Sequence, residues 1–213
     1  MITHQRKQAM KTLNKELQDK ITPAMAINLL KEGNQRFINN LKVNRNLLAQ
    51  VNETSESQHP FAVIISCMDS RTSAELIFDQ GLGDIFSVRI AGNVINEDIL
   101  GSAEFGCKVV GAKVVIVLGH SSCGAIKGAV QNVDLGHLHF ITNKIQRCIP
   151  SIKKELPNAS VEDLCTHVTK GNVELGVSDL KARSSILEDM AHNGEIIIMG
   201  ALYNVSTGVV EFL

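Results

Sequence analysis

Two short segments of the sequence combine residue types that can bind a metal ion. The first, CMDSR at residues 67–71, places a thiol, a carboxylate and a guanidinium on alternate positions. The second, GHSSCG at residues 119–124, places the imidazole of His120 three residues before the thiol of Cys123. Two thiolates and one imidazole suit Zn²⁺, and three protein ligands leave a fourth position open, as in catalytic zinc sites. We therefore predict that Cys67, His120 and Cys123 hold one zinc ion per chain.

The other two chemical groups of the first segment bear on that fourth position. Asp69 can bind the metal directly and close the site, or it can pair with Arg71 and leave the position to water. An Arg–carboxylate pair is favoured while both groups are charged, so we expect the open form at about pH 8. Asp69 is then a fourth ligand only in a closed state.

Each of these residues has an ordinary structural explanation when it is taken alone. A cysteine that ends a buried strand packs as a small apolar side chain, and an Asp–Arg pair is a common loop ion pair. The combination favours a metal site because all five side chains follow strands, at the edge where open α/β sheets bind ligands. The remaining cysteines lack comparable partners. Cys107 and Cys148 lie in helical sequence patterns and are expected to be packing residues. Three further histidines, His137, His139 and His167, are expected to make surface contacts.

Strands and helices alternate after residue 60. Continuous apolar runs predict strands covered on both faces, and hence a parallel sheet; they span residues 61–67, 84–92, 112–120 and 195–204. The stretches between them suit crossover helices at 73–80, 97–111 and 123–132, and from Ser160 to about Ala191. A turn at Thr207-Gly208 makes the last strand, 209–213, antiparallel at the sheet edge. The predicted fold is α/β, a mainly parallel sheet of four strands plus this C-terminal antiparallel edge strand, flanked by helices. Cys67 approaches His120 if the first and third strands are neighbours.

We predict a single domain overall. It consists of an N-terminal helical arm over residues 1–50, followed by an α/β zinc-binding catalytic domain over residues 51–213. Residues 1–21 are expected to be helical. Thr22 is the predicted N-cap of the next helix and Pro23 its first residue. An apolar stripe on that helix, interrupted at Asn34, is formed by Ile27, Leu30, Phe37 and Leu41.

Composition restricts the class of protein. The chain has 213 residues, 44% of them hydrophobic and 20% charged, as in an ordinary globular domain. A net charge of −1 favours neither nucleic acid nor an anionic membrane, and the basic cluster of residues 4–7 and Lys11 suits a solvated helix.

No apolar run approaches the roughly 20 residues of a membrane span, and no secretory signal is evident. Five widely spaced cysteines predict reduced thiols, and hence a cytoplasmic protein.

These motifs resemble those of the β-class carbonic anhydrases. The resemblance rests on CMDSR, on RIAGN at 89–93 and on GHSSCG; LLKEGNQRF at 29–37 and GALYNVSTGVVEF at 200–212 are similar to the family's N-terminal helix and C-terminal hairpin. It covers residues 22–213. It implies reversible hydration of CO₂ to bicarbonate and a proton, by attack of a zinc-bound hydroxide, with Zn²⁺ on Cys67, His120 and Cys123. It also implies a homodimer or tetramer in which the helical arm embraces a partner subunit.

The resemblance assigns further site residues. Asp69 and Arg71 match the family's catalytic dyad. Gln58, nine residues before Cys67, matches an active-site glutamine. The residues that match the apolar CO₂ pocket are Phe86, Ala91 and Phe105, and Gly124 offers its backbone N–H to the substrate.

One branch of the family also holds an inhibitory bicarbonate on a Trp–Arg–Tyr set. Arg89 and Tyr203 match two of these positions, but Ile64 stands at the Trp position and the chain contains no Trp. We therefore expect this bicarbonate site to be absent or weakened.

Three other functions compete with the hydration of CO₂. Hydrolases of carbonyl sulfide or carbon disulfide resemble the family and share its zinc ligands. A non-catalytic zinc protein would have Asp69 bound to the metal, but it would need neither Arg71 nor Gln58. A nucleotide-binding module would carry a G-x-G-x-x-G turn after the first strand, and the sequence has none there.

Overall fold

The computed structural model describes residues 12–213. The basic cluster of residues 4–7 and Lys11, and the first part of the helix expected over residues 1–21, lie outside the described residues. Within residues 12–213, a five-stranded sheet has the order β2-β1-β3-β4-β5. Its strands are β1 (Ala62–Ser66), β2 (Ile85–Arg89), β3 (Val114–His120), β4 (Ile197–Tyr203) and β5 (Val210–Phe212). The fold prediction is confirmed: β1 to β4 pair in parallel and β5 runs antiparallel to β4.

The register of the sheet places the predicted metal ligands at one edge. β1 and β3 are adjacent, and Ser66 at the end of β1 pairs with Leu118 of β3. Every residue of β1 and β3 is buried, as expected for strands covered on both faces. The residue that follows β1 and the last residue of β3 therefore emerge side by side at the carboxyl end of the sheet.

The N-terminal helices are α1 (Lys15–Asp19), α2 (Pro23–Ile38) and α3 (Leu47–Glu53). The predicted cap of α2 is confirmed, because the Thr22 hydroxyl accepts a hydrogen bond from the N–H of Met25 at 3.3 Å. The predicted apolar stripe is wrong at its end, where Leu41 is 69% exposed. The side chains that α2 buries are Ala26, Leu29, Leu30 and Asn34, with Gly33 between them.

Asn34 anchors the N-terminal arm through hydrogen bonds. The sequence predicted it only as an interruption of the apolar stripe of α2. Its amide nitrogen donates to the carbonyl oxygens of Ile77 (3.1 Å) and Gly208 (2.8 Å), and its oxygen accepts from the N–H of Val210 (2.9 Å). Apolar residues on either side of it pack in one core with β1, β3 and β4. Helix α2 is thereby joined to the C-terminal hairpin.

The helices that follow β1 cover both faces of the sheet. They are α4 (Ala74–Ile77), α5 (Glu97–Glu104), α6 (Gly124–Val130), α7 (His139–Gln146), α8 (Ile149–Glu155), α9 (Val161–Arg183) and α10 (Ser185–His192). Short 3₁₀ turns form at Ala91–Asn93 and Gly136–Leu138, and a π-helical turn continues α5 over Phe105–Val109. The single helix predicted up to Ala191 is wrong. The helix is interrupted at Ser184. The hydroxyl of Ser184 caps α10 by accepting a hydrogen bond from the N–H of Leu187.

The core has two layers, one on each face of the sheet, and a third cluster at its carboxyl edge. Alternate residues of β1 enter opposite layers, with Ile64 in one and Val63 and Ile65 in the other. The third cluster contains Cys67 and Cys123 together with apolar side chains of α6, α7 and α9. Among the described helices, none combines the length and apolar character that crossing a bilayer requires.

The other cysteines are free thiols, as all five are in the described structure. Cys107 is buried in the layer that contains Val63, and burial raises the pKa of its thiol to about 12. Cys148 is half-buried and packs in the third cluster. The prediction that these two residues serve packing is confirmed.

Candidate metal and catalytic site

The structure brings Cys67, His120 and Cys123 together at the carboxyl edge of the sheet. Cys67 directly follows β1, His120 ends β3, and Cys123 is the N-cap residue of α6. Their exposed fractions are 4%, 1% and 5%, so all three are buried. Their candidate ligand atoms lie within 4.8 Å of one another, and the two Sγ atoms are 4.0 Å apart.

This arrangement fits a tetrahedral zinc ion. Two sulfurs at about 2.3 Å from a tetrahedral metal lie about 3.8 Å apart, close to the separation found here. The Nδ1 atom of His120 lies 3.0 Å from the carbonyl oxygen of Ser121, which can only accept, so Nδ1 carries the proton. In the neutral imidazole this leaves Nε2 as the acceptor, and Nε2 is buried without a hydrogen-bond partner among the described residues. A buried acceptor beside two thiols is the expected state of a ligand atom whose partner is a cation.

The two thiols act on each other's acidity. The Cys123 thiol donates a hydrogen bond that lowers the pKa of Cys67, and the N–H of Gly92 also donates to the Cys67 sulfur at 3.4 Å. The same thiol–thiol bond, together with burial, raises the pKa of Cys123. The thiol–thiol bond therefore places one proton between the two sulfurs. A divalent cation would compete with that proton, since metals bind thiolates.

Asp69 is held by a two-pronged contact with Arg71. The Nε and terminal nitrogen of Arg71 donate to the two carboxylate oxygens at 2.9 and 2.8 Å, and the Arg71 backbone N–H donates to Oδ1 at 2.9 Å. The Arg71 side-chain bonds hold the pKa of Asp69 well below its usual range. Asp69 is therefore ionised at neutral pH. Its carboxylate is not among the described ligand atoms that lie within 4.8 Å of one another.

The loop that carries Cys67 and Asp69 is fixed through its backbone carbonyls. The guanidinium of Arg89 donates to the carbonyl oxygens of Cys67 (3.1 Å) and Asp69 (2.6 Å). The hydroxyl of Thr72, which is 1% exposed, is within hydrogen-bond distance of the same two oxygens at 2.8 and 2.9 Å. The sequence reasoning missed Thr72, although its position directly after Arg71 is the signal that could have found it.

The residues matched to the substrate pocket do not all lie beside this cluster. Ala91 adjoins Gly92, and Gly124 is the exposed first residue of α6, directly after Cys123. Gln58 is exposed and lies at the opposite end of β1, beside Gly83 in the loop before β2. Five strand residues at about 3.3 Å each separate that end from Cys67.

Phe86 and Phe105 form a pair of their own. Their ring centroids are 6.3 Å apart, and Phe105 is 53% exposed. Phe86 pairs in the sheet with Val63, which precedes Cys67 by four residues, or about 13 Å along a strand. One chain therefore places Gln58, Phe86 and Phe105 away from its own cysteine–histidine cluster.

The residues matched to the bicarbonate set have structural partners. Ile64, at the Trp position, is fully buried in the core, and Tyr203 of β4 is 6% exposed. The guanidinium of Arg89 binds two loop carbonyls, as described above. The expectation that this bicarbonate site is absent or weakened stays a prediction, and the engagement of Arg89 with protein oxygens supports it.

Comparisons with known proteins point to one family. A family model described as carbonic anhydrase matches residues 62–210, a range that contains all three residues of the cluster. Carbonic anhydrase 2 of Mycobacterium tuberculosis is 35% identical over 189 residues, which are 87% of this chain and 90% of that protein. A carbonic anhydrase of Mycolicibacterium smegmatis is 35% identical over 195 residues, which are 89% of this chain and 92% of that protein. The β-carbonic anhydrase CafA of Aspergillus fumigatus superposes with a TM-score of 0.71 at 28% identity, covering 78% of this chain and 81% of that one.

Proposed function

The chain belongs to the β-carbonic anhydrase family of enzymes, and from this membership we propose that it catalyses the reversible hydration of CO₂ to bicarbonate and a proton at a zinc ion held by Cys67, His120 and Cys123. The observation that carries the proposal is the position of Asp69. An ionised carboxylate, held by Arg71, lies two residues after Cys67 and leaves the three ligands free to bind a cation with one position to spare. A purely structural zinc site needs no such carboxylate.

The roles of the chain's own groups follow from their chemistry. Zinc, when bound, supplies the Lewis acidity that lowers the pKa of a coordinated water to about 7. Asp69 accepts a hydrogen bond from the attacking water and orients a lone pair toward CO₂. Arg71 lowers the pKa of Asp69 further and holds its carboxylate away from the cation. The N–H of Gly124 donates to a substrate oxygen as negative charge develops there.

The test is CO₂ hydration by stopped flow, on zinc-loaded wild type and Asp69→Asn, from about pH 6.5 to 9, a range that brackets the pKa of a zinc-coordinated water. Because the Arg71 bonds lower the pKa of Asp69, its carboxylate is ionised throughout this range, so a rise in wild-type activity with pH reports the attacking water. We expect Asp69→Asn to lose about 10²-fold or more in kcat/KM, since it removes the negative charge and replaces one acceptor oxygen by an NH₂ donor but keeps the side-chain shape.

Asp134→Asn, in the exposed loop after α6, is the matched control and should retain the wild-type rate. Carbonyl sulfide and carbon disulfide are assayed in parallel. A wild-type protein that carries one zinc per chain but hydrates no CO₂ at any pH would contradict the proposal. Turnover of a sulfur substrate in that case would assign the site to hydrolysis of those compounds.

We also propose that the protein acts as a homodimer or a larger homo-oligomer, in which Gln58, Phe86 and Phe105 of one chain complete the site of another. Two observations support this. These residues lie away from the cluster of their own chain, and large apolar side chains are exposed close to them, with Phe105 53% and Val109 72% exposed. In such an assembly Gln58 donates a hydrogen bond to substrate, and the two rings with Ala91 form an apolar pocket suited to CO₂.

A further inference from the structure

Asn172 is a buried polar side chain that the roles described above do not include. It lies in the middle of α9 and is 4% exposed. Its amide nitrogen donates a hydrogen bond of 2.8 Å to the carbonyl oxygen of Gly92, a residue 80 positions earlier in the chain. A helix interior is an unfavourable place for asparagine, so a packing or hydrogen-bonding reason is expected for its presence there.

Gly92 connects Asn172 to the cluster. The carbonyl that accepts from Asn172 and the N–H that donates to the Cys67 sulfur flank the same α-carbon. The φ angle of Gly92 is +67°, in the left-handed region, and an added Cβ would lie 2.9 Å from Cδ1 of Ile145 and 3.2 Å from Cβ of Ala125. A side chain at this residue would therefore be strained and crowded. The direction of the Gly92 N–H depends on the groups that hold its backbone.

We propose that Asn172 is a positioning residue for the metal centre: by holding the carbonyl of Gly92, it keeps the Gly92 N–H directed at the sulfur of Cys67. This inference rests on the zinc site proposed above. A hydrogen bond to a thiolate draws electron density from the sulfur and reduces the charge that the sulfur donates to a cation. A site with two thiolates donates more charge than one built from neutral imidazoles. The Gly92 N–H therefore offsets part of that donation and keeps the cation acidic.

A purely structural role for Asn172 predicts a different result, and the same helix offers a matched control. Asp179 of α9 is 7% exposed and pairs with Arg147 through contacts of 2.6 and 2.9 Å. Asp179→Asn weakens an anchor of the same helix but touches neither Gly92 nor Cys67. If α9 only needs its anchors, Asn172→Ala and Asp179→Asn should affect the cluster alike.

The experiment measures zinc affinity by competition with a chelator, and the thiolate-to-metal charge-transfer band of the cobalt-substituted protein. We expect Asn172→Ala to weaken zinc binding by about 10- to 100-fold, because the Cys67 sulfur loses the bond that orients it. We also expect the charge-transfer band to shift, because the same sulfur then donates more charge to the metal. Asp179→Asn should stay within about twofold of wild type with an unshifted band, since sites without shared partners act independently. Asn172→Leu, which keeps the side-chain volume, should behave like Asn172→Ala.

Wild-type zinc affinity and an unshifted band in folded Asn172→Ala would overturn the inference, as would equal losses in Asn172→Ala and Asp179→Asn. If neither Asn172 variant folds, the inference is tested by NMR on the wild-type protein loaded with a magnetically active cadmium isotope. A scalar coupling between the metal and the Gly92 amide proton supports the bond to Cys67, and its absence overturns the inference. Failure of the wild type to bind zinc at all would instead contradict the proposed function.

Discussion

The lowered pKa of Asp69 has one main cause. Its side chain is not deeply buried, and the bonds donated by Arg71 are the main reason for its lowered pKa. Those bonds also engage both carboxylate oxygens, which keeps the carboxylate in one orientation. We therefore expect Arg71 to decide whether Asp69 accepts a hydrogen bond from water or binds the cation itself.

Arg71→Ala tests that role. Without the guanidinium, Asp69 is free to turn toward the cation and to occupy the position that an exchangeable ligand would take. We expect kcat/KM for CO₂ to fall by at least about 10-fold, the usual cost of removing a group that orients the site. We also expect the cobalt-substituted variant to bind azide more weakly than wild type, as measured by absorption titration.

Arg71→Lys is the comparison variant, because it keeps the charge but not the two-pronged geometry. Its azide affinity should lie between those of wild type and Arg71→Ala. Unchanged azide affinity in Arg71→Ala, with activity lost, would show that Asp69 does not move onto the cation.

Residue types and strand ends were enough to select Cys67, His120 and Cys123, because the carboxyl edge of a parallel sheet brings distant strand ends together. The groups that hold the loop were harder to see. Thr72 and Asn172 act through backbone carbonyls, and any side chain with an N–H or O–H donor can bind a carbonyl. Such a role depends on which backbone segment lies nearby, and a residue type does not encode that.

At the level of elements, periodicity predicted the strands because their apolar runs are continuous. It misjudged α2, whose inward face includes a polar residue, Asn34. It also merged α9 and α10, since only the Ser184 cap separates them and their amphipathic patterns continue each other. Buried hydrogen bonds and caps thus determined where the elements begin, end and attach.

Asn34→Ala should destabilise the fold by about 3 kcal/mol, because it leaves three backbone groups of the α4 region and the C-terminal hairpin without their partner. The measurement is urea unfolding followed by circular dichroism. Asn39→Ala is the control on the same arm. Asn39 is exposed and its side chain bonds only to the carbonyl of Gln35, so a change within about 0.5 kcal/mol is expected. Equal effects of the two substitutions would show that Asn34 does not anchor α2.

For the whole molecule, the sheet separates the residues matched to the substrate pocket from the cysteine–histidine cluster, which motivates the proposal that a second chain completes the site. The metal ligands lie at the carboxyl end of β1, and Gln58 lies before its amino end. The sequence could place Gln58 relative to β1, but it could not say which site the residue serves. Under the proposal above, that depends on a neighbouring chain, and a contact between chains leaves no spacing pattern within one of them.

A hybrid dimer tests whether Gln58 serves the neighbouring site. We expect Asp69→Asn and Gln58→Ala each to lower activity as homodimers. Co-expression with two different tags, and purification on both, yields dimers with one copy of each variant. If Gln58 acts in the other subunit's site, one of the two sites in the hybrid has both native residues, and about half of the wild-type activity returns, as two-fold symmetry requires. If Gln58 acts within its own chain, both sites stay defective and no activity returns. The hybrid of Asp69→Asn with Arg71→Ala is the control, since both residues belong to the same chain's site and neither site is restored.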